Sequence, residues 1–221
     1  MVGHRGDTAR VTELRLAHGA DVRVELVERR SRFLAWLRRA EDEPAARAVV
    51  AEARRAYPDA RHHCSAFLVG GPGPGRVERS SDDGEPAGTA GMPMLQVLRG
   101  AGVTDVVAVV SRYFGGVKLG AGGLVRAYSG AVQAALDAAP LVRLEHTELW
   151  SVRLGHAEAG RVEAELRRHG FAVVETRYGD DGVELVVRSA DGAALTSAVA
   201  AMTAGTAVPR LVGETVVERP A

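Results

Sequence analysis

Residues 104–130 read TDVVAVVSRYFGGVKLGAGGLVRAYSG, and the order of side chains along them decides the fold. Val106 to Val110 are five consecutive small apolar residues. Alternate residues of a strand point to opposite faces, so an unbroken apolar run predicts a strand covered on both sides, the centre of a sheet. Glycines then crowd together, with Gly115, Gly116, Gly120, Gly122 and Gly123 falling within nine positions. Beyond them Leu124, Tyr128, Ala131 and Ala135 recur at helical spacing, which predicts an amphipathic helix over 124–138.

Upstream, Val22, Val24 and Leu26 alternate, and a second strand from Arg32 to Arg38 puts Phe33, Ala35 and Leu37 on one face. Asp42-Glu43-Pro44 reads as a capped helix start, with Ala45, Val49, Ala53 and Ala56 as its stripe and Pro58 as its stop. A strand over 62–69 places His62, Cys64, Ala66 and Leu68 on one face and His63, Ser65, Phe67 and Val69 on the other. The GGPGPG run over 70–75 is a loop tip. Ser81 to Gly91 is irregular, and a short helix follows over 93–99.

After Pro140 the pattern restarts. Trp150, Val152 and Leu154 alternate; a helix over 157–169 carries Val162 and Leu166, with Glu163 and Arg167 at i,i+4; two strands flank Gly179-Asp180-Asp181-Gly182, a hairpin signal. Asp191 opens a helix bearing Leu195, Ala198, Val199 and Met202, and a strand over 211–217 closes the chain. The order strand, helix, strand, strand, helix, strand is ferredoxin-like. The class is therefore α+β, with one domain over 1–140 and a smaller one over 141–221.

Composition narrows the function classes. The 221 residues are 46% hydrophobic and 25% charged, which excludes intrinsic disorder, and no apolar run is long enough to span a bilayer. The start of the chain is polar rather than signal-like, so a cytoplasmic protein is expected. Cys64 is the only cysteine, which excludes an internal disulfide and a cysteine-rich zinc module. Charge balances at 28 basic and 28 acidic residues, against a general nucleic-acid coat. The balance is a sum: residues 1–140 carry 19 basic and 16 acidic residues, and 141–221 carry 9 and 12. Lys118 is the only lysine, so the abundance of arginine is a compositional habit rather than a signal.

Three segments carry chemistry: RHHC (Arg61 to Cys64), SDDGEPAGTAG (Ser81 to Gly91) and SRYFGGVKLGAGGLVRAYSG (Ser111 to Gly130). The last fails both the Walker A pattern, because Ala121 and Gly122 follow Gly120, and the dinucleotide pattern, because Val125 stands at the third glycine. Two readings stay open for it. Gly115, Gly116, Gly120, Gly122 and Gly123 form either an anion nest beside Arg112, Lys118 and Arg126 or simple tight turns. Asp82, Asp83 and Glu85 could join a histidine at a metal, but capping of the turns explains them as well, and no metal is expected. Cys64 is expected to be a packed, inert thiol. Which of His62 and His63 faces a cleft is open, while Tyr113 and Phe114 are expected to anchor the turn rather than to stack on a base.

These segments, with RYFGG-x-x-LG-x-GGL-x-x-AY ending at Tyr128, strongly resemble the IMPACT family in its bacterial YigZ branch, and the resemblance covers nearly the whole chain. It implies that the first half shares the fold of the second domain of ribosomal protein S5, a sheet with helices on one side and a left-handed crossover where the general rule is right-handed. The second half is similar to the C-terminal domain of elongation factor G. The family's recurrent positions here are Arg61, His62, His63, Cys64, Asp82, Asp83, Gly84, Glu85, Pro86, Gly88, Thr89, Gly91, Arg112, Tyr113, Gly115, Gly116, Gly120, Gly122, Gly123 and Tyr128. No catalytic role and no cofactor is implied for them.

The expected function is a non-enzymatic regulator of translation with the ribosome, RNA or a protein factor as partner. The alternative is an enzyme or sensor that holds a small phosphorylated ligand at the glycine-rich loop. A third reading makes the exposed sheet face of the acidic second domain a docking surface for a basic protein.

Overall fold

The computed structural model describes residues 13–71 and 75–221. The polar start of the chain and the middle of the GGPGPG tip, on which expectations were placed, lie outside them. The chain divides into two units, Met1–Leu144 with Arg219–Ala221, and Glu145–Glu218.

The first unit runs β1 (Leu14–Leu16), β2 (Asp21–Glu28), β3 (Ser31–Arg39), α1 (Glu43–Ala56), β4 (His62–Val69), β5 (Val77–Ser81), α2 (Gly91–Gly100), β6 (Val106–Tyr113) and α3 (Gly120–Asp137). Among the described residues its main sheet has the order β2-β3-β6-β4-β5, with every neighbouring pair antiparallel. The apolar run of β6 sits at the centre, and alternation along the strands sorts side chains into two cores. Phe33, Ala35, Leu37, Cys64, Ala66, Leu68, Ala108 and Val110 pack with Met94 and Leu98 of α2 and with Leu124, Tyr128, Ala131 and Ala135 of α3. Trp36, Phe67, Val69, Val107 and Val109 pack on the other face with Ala46, Val49 and Ala53 of α1.

Helices therefore cover both faces, which corrects the one-sided layering implied by the family resemblance. The reason lies in β6 itself. A strand whose odd and even residues are both apolar needs cover on both sides, and α1 supplies the second layer. Its buried stripe is Ala46, Val49 and Ala53; Ala45 and Ala56, expected on that stripe, are exposed. Asp42 caps the helix as expected, accepting a bond of 2.8 Å from the Ala45 N–H.

Two further differences concern weakly patterned segments. β5 has the sequence VERSS, which lacks apolar alternation because it is an edge strand with mostly exposed side chains. α3 starts at Gly120, four residues before the first leucine of its stripe, so Gly120, Gly122 and Gly123 belong to its first turn rather than to the preceding loop. Glycine's poor helix propensity hides that start from a sequence reading.

β7 (Leu141–Leu154) begins in the first unit, where Leu141 to Arg143 pair with β1, and continues into the second. There follow α4 (His156–Arg168), β8 (Ala172–Gly179), β9 (Gly182–Ser189), α5 (Gly192–Thr203) and β10 (Arg210–Pro220). β7 lies between β10 and β9, and β8 is outermost beyond β9. Val152, Leu154, Leu185 and Val187 meet Val162 and Leu166 of α4 and Leu195 and Val199 of α5. Gly179 and Gly182 close the β8–β9 hairpin, Asp191 caps α5 through the Ala194 N–H at 2.9 Å, and Arg167 pairs with Glu163 at 2.8 Å.

Trp36 tests the second layer. Its ring is fully buried under α1, and its Nε1–H donates to Asp21 Oδ1 at 2.5 Å. Trp36→Ala should lower the unfolding free energy by about 3–5 kcal/mol in urea titrations. Val27→Ala, at an exposed position of β2, should change it by no more than about 0.5 kcal/mol. A Trp36→Ala variant within about 1 kcal/mol of the parent would refute the two-sided core.

Candidate functional site

The chemistry-bearing segments meet at one end of the first unit's sheet because β4 and β6 are neighbours in a register that sets His62 opposite Arg112. Segment 82–91 links β5 to α2 and is organised by its own carboxylates. Asp82 accepts bonds from the N–H groups of Ala90 (3.0 Å) and Gly91 (2.8 Å) through Oδ1 and of Gly88 (2.8 Å) through Oδ2, at the N-terminus of α2. Burial alone would raise its pKa, but the three amides outweigh it and hold the carboxyl below the usual aspartate range. Asp83 accepts from the His63 N–H (2.6 Å) and from Arg54 (2.5 Å), and these likewise outweigh burial and lower its pKa. Thr89 is buried, and its hydroxyl donates to the Pro86 carbonyl at 2.7 Å. Capping explains this segment, as one of the two readings has it.

Glu85 is the exception, because it turns inward. Its Oε1 accepts from Arg112 Nη1 at 2.6 Å and from the Tyr128 hydroxyl at 2.8 Å, and all three side chains are buried. Burial drives the Tyr128 pKa well above the ordinary phenol value. The Tyr128 ring meets Phe33 edge-on at 5.1 Å, and the Arg112 guanidinium lies 5.3 Å from the Phe33 ring centre. Arg112, a candidate anion ligand by sequence, is thus the counter-ion of Glu85.

The two histidines part as strand geometry requires. His63 lies on the α1 face, buried, with Nδ1 2.8 Å from Ser111 Oγ; burial and the Arg54 charge keep its pKa below the ordinary value. His62 lies on the other face, and its Nδ1 is 2.8 Å from the Asp83 carbonyl. A carbonyl only accepts, so Nδ1 carries the proton and Nε2 holds the lone pair when the ring is neutral. Gly84, at φ +85, leaves room for that ring: a Cβ there would lie 3.4 Å from His62 Nδ1. Cys64 is fully buried, donates to the Asp82 carbonyl at 3.0 Å, and burial pushes its thiol up to about 12.

His62 lines a cleft of about 360 Å³ with Arg61, Glu85, Pro86, Arg112, Phe114, Lys118, Leu119, Gly120, Ala121 and Leu124. Phe114 departs from the expectation of a turn anchor, since its ring is 47% exposed in this cleft, 5.6 Å from the Arg112 guanidinium. Tyr113 points to the other face, 5.4 Å from the Arg32 guanidinium. Of the expected anion site, Arg112, Lys118 and Gly120 line the cleft, whereas Gly115, Gly116, Gly122, Gly123 and Arg126 lie outside its lining. Gly115 is there for packing: a Cβ would come within 2.0 Å of the Arg30 carbonyl. α3 reaches the cleft with its N-terminal residues Gly120 and Ala121, and no side chain caps that end.

Two contributors, Ser31 and Arg54, escape any sequence signal, and a third, Ser111, opens the glycine-rich segment with no role assigned to it. Ser31 Oγ, fully buried at the start of β3, accepts from the Gly115 N–H at 3.2 Å and lies 3.4 Å from Arg112 Nη2; Arg54 comes from α1, and Ser111 from β6. Each is distant in sequence from the group it holds.

Residues 29–136 match the family model described as the Impact N-terminal domain, and residues 152–206 match a domain of unknown function, DUF1949. Among curated proteins the chain is 41% identical over 150 residues to the IMPACT family member YigZ of Escherichia coli, covering 68% of this chain and 74% of that one. It is 38% identical over 157 residues to the family member YvyE of Bacillus subtilis, covering 71% of each. A crystal structure described only as that of a hypothetical protein is 35% identical, covers 91% of this chain and 97% of its own, and superposes with a TM-score of 0.62.

The carboxylates of segment 82–91 set a pH dependence. The folded pKa values of Asp82 and Asp83 are depressed, so their stabilisation is complete above the unfolded value of about 3.9 and is lost as pH falls through the lower folded values. From pH 7 to about 5 these two carboxylates add no slope, while the lowered pKa of His63 makes the unfolding free energy decline gently below about pH 6.5. Below about pH 5 the loss of the carboxylate contribution steepens the fall, and Asp82→Asn should make that acid limb shallower. An unchanged acid limb would overturn this role for Asp82. Cys64 should react with a disulfide reagent at pH 8 only on the timescale of unfolding, and at once in denaturant. Rapid labelling of the native protein would contradict its burial.

Proposed function

The chain belongs to the IMPACT family, and from that premise we propose that it is a non-enzymatic cytoplasmic regulator of translation that binds unpaired RNA through the cleft of the first unit. One observation carries the reading: Phe114 is an exposed aromatic ring in a cleft that also presents Arg61 and Lys118. A base stacked on such a ring contributes about 1–3 kcal/mol, and cations beside it take the phosphates. The carboxylates of the surrounding motif are engaged internally. Asp82 serves backbone amides, Asp83 serves Arg54 and the His63 N–H, and Glu85 serves Arg112 and Tyr128. This takes the three carboxylates out of acid–base work and favours binding chemistry at the cleft.

The fold supports a connection with translation by likeness alone, a weaker warrant. The order β10-β7-β9-β8 in the second unit agrees with a ferredoxin-like domain similar to the C-terminal domain of elongation factor G. The first unit's likeness to the second domain of ribosomal protein S5 rests on the family resemblance. The alternative, a small phosphorylated ligand at the glycine-rich loop, loses its strongest cation because Arg112 already neutralises Glu85.

Sedimentation with ribosomes at two salt concentrations, and titration with a fluorescent single-stranded RNA, test the proposal. Association should be strongest at low salt. Phe114→Ala should weaken it about tenfold or more at every salt concentration, whereas Lys118→Ala should reduce the logarithmic salt slope by about 0.7. Absence of association at low salt, or indifference to both substitutions, would reject it.

A further inference from the structure

The opposite face of the same sheet carries a second concave site, which shares no lining residue with the cleft. Arg47 and Arg54 are seven residues apart on α1, two helical turns, and so lie on one side of that helix with Val50 and Ala51 between them. Register completes the other wall. Arg79 on β5 is the cross-strand partner of Phe67, and Ser81 is the partner of Ser65, so Arg79 and Ser81 share the face on which Phe67 packs with α1. Between the helix and this edge strand lies a groove of about 390 Å³, lined also by His63 and Ser80.

The lining holds three arginines and no carboxylate, and of its serines Ser65 and Ser81 share the face of Phe67, whereas Ser80 alternates to the other. The carboxylates that pair with two of the arginines reach them from outside the lining. Arg47 places Nε and Nη2 on one oxygen of Glu43, and Arg54 places one Nη on Asp83. Arg79 donates to the Glu78 carbonyl and has no carboxylate partner among the described residues. A guanidinium has five N–H donors, so the cluster holds more donors than its internal acceptors use. The Glu43–Arg47 pair is an exposed i,i+4 contact of the kind that contributes only about 0.3–0.5 kcal/mol, so an incoming dianion meets little competition there. His63 is uncharged at neutral pH, and Val50, Ala51 and Phe67 give the groove an apolar wall.

We propose that this groove binds a phosphate monoester, with the phosphoryl group held by Arg79, Arg47 and the hydroxyls of Ser65 and Ser81, and the organic part against Val50, Ala51 and Phe67. A volume in the range of small-ligand sites exceeds what a lone phosphate fills, which favours the ester. The proposal is independent of RNA binding at the cleft, since it uses the other face of the sheet and other side chains.

The test is calorimetric titration of the full chain with inorganic phosphate and with glycerol 3-phosphate, against chloride at matched ionic strength. Both should bind saturably, the ester more tightly. Arg79→Ala and Arg47→Ala should each weaken the ester at least tenfold, because a charge-assisted donor pair is lost while both residues sit on exposed surface. Lys118→Ala should leave this binding unchanged and reduce only RNA association. The proposal fails if neither probe binds, if inorganic phosphate binds and the ester does not, if both arginine variants bind as the parent does, or if Lys118→Ala is the change that abolishes binding.

Discussion

The buried pair of Arg112 and Glu85 is the constraint on which the geometry of the first unit depends. Charges taken out of water must be paired, and removal of one partner costs about 3–5 kcal/mol because the other is left uncompensated. Here Glu85 receives Arg112 from the central strand and Tyr128 from α3, while the second Nη of Arg112 lies near Ser31 at the head of β3. Four separate stretches of chain must therefore arrive together. Ser31 in turn accepts from the Gly115 amide, and the Arg30 carbonyl permits no side chain at Gly115, so the loop that follows β6 is held against the β2–β3 turn. The lip of the cleft is a by-product of satisfying one ion pair.

The same end of the sheet joins its two faces through one residue. The Asp83 carboxylate reaches Arg54 and the backbone of His63 on the α1 side, while its carbonyl receives Nδ1 of His62 on the cleft side. Left-handed backbone at Asp83 (φ +44) and Gly84 (φ +85) makes this possible, because the chain must reverse within two residues. A short polar turn thereby orients a histidine that it does not neighbour in sequence.

Much of this architecture is legible in the residue order, and the exceptions have physical causes. Val106 to Val110 declare the central strand, the stripe from Leu124 to Ala135 declares α3, and the pair of glycines around Asp180 declares the hairpin of the second unit. β5 is not declared, because an edge strand needs no apolar alternation, and the start of α3 is masked by glycines, of which Gly120 takes a positive φ and Gly123 packs closely on Leu119. The double layering follows from the apolar run of β6 more reliably than from likeness to a fold with helices on one side. At the site, the opposed directions of His62 and His63 and the inert packing of Cys64 follow from strand alternation. The inward turn of Glu85 does not, since its sequence neighbours Asp82 and Asp83 are of the same chemical type and only the tertiary position of Arg112 separates their roles. Phe114 was open to the same ambiguity: an aromatic residue before two glycines packs inward or outward according to which face the strand end presents.

Lys118 is the single lysine of the chain, and it lies on the rim of the cleft. Apart from the terminal amine, the molecule thus carries one primary amino group, already placed at the site of interest. An acylating dye or an amine-directed cross-linker needs no engineered attachment point here, and protection of that one amine reports whether the cleft is filled.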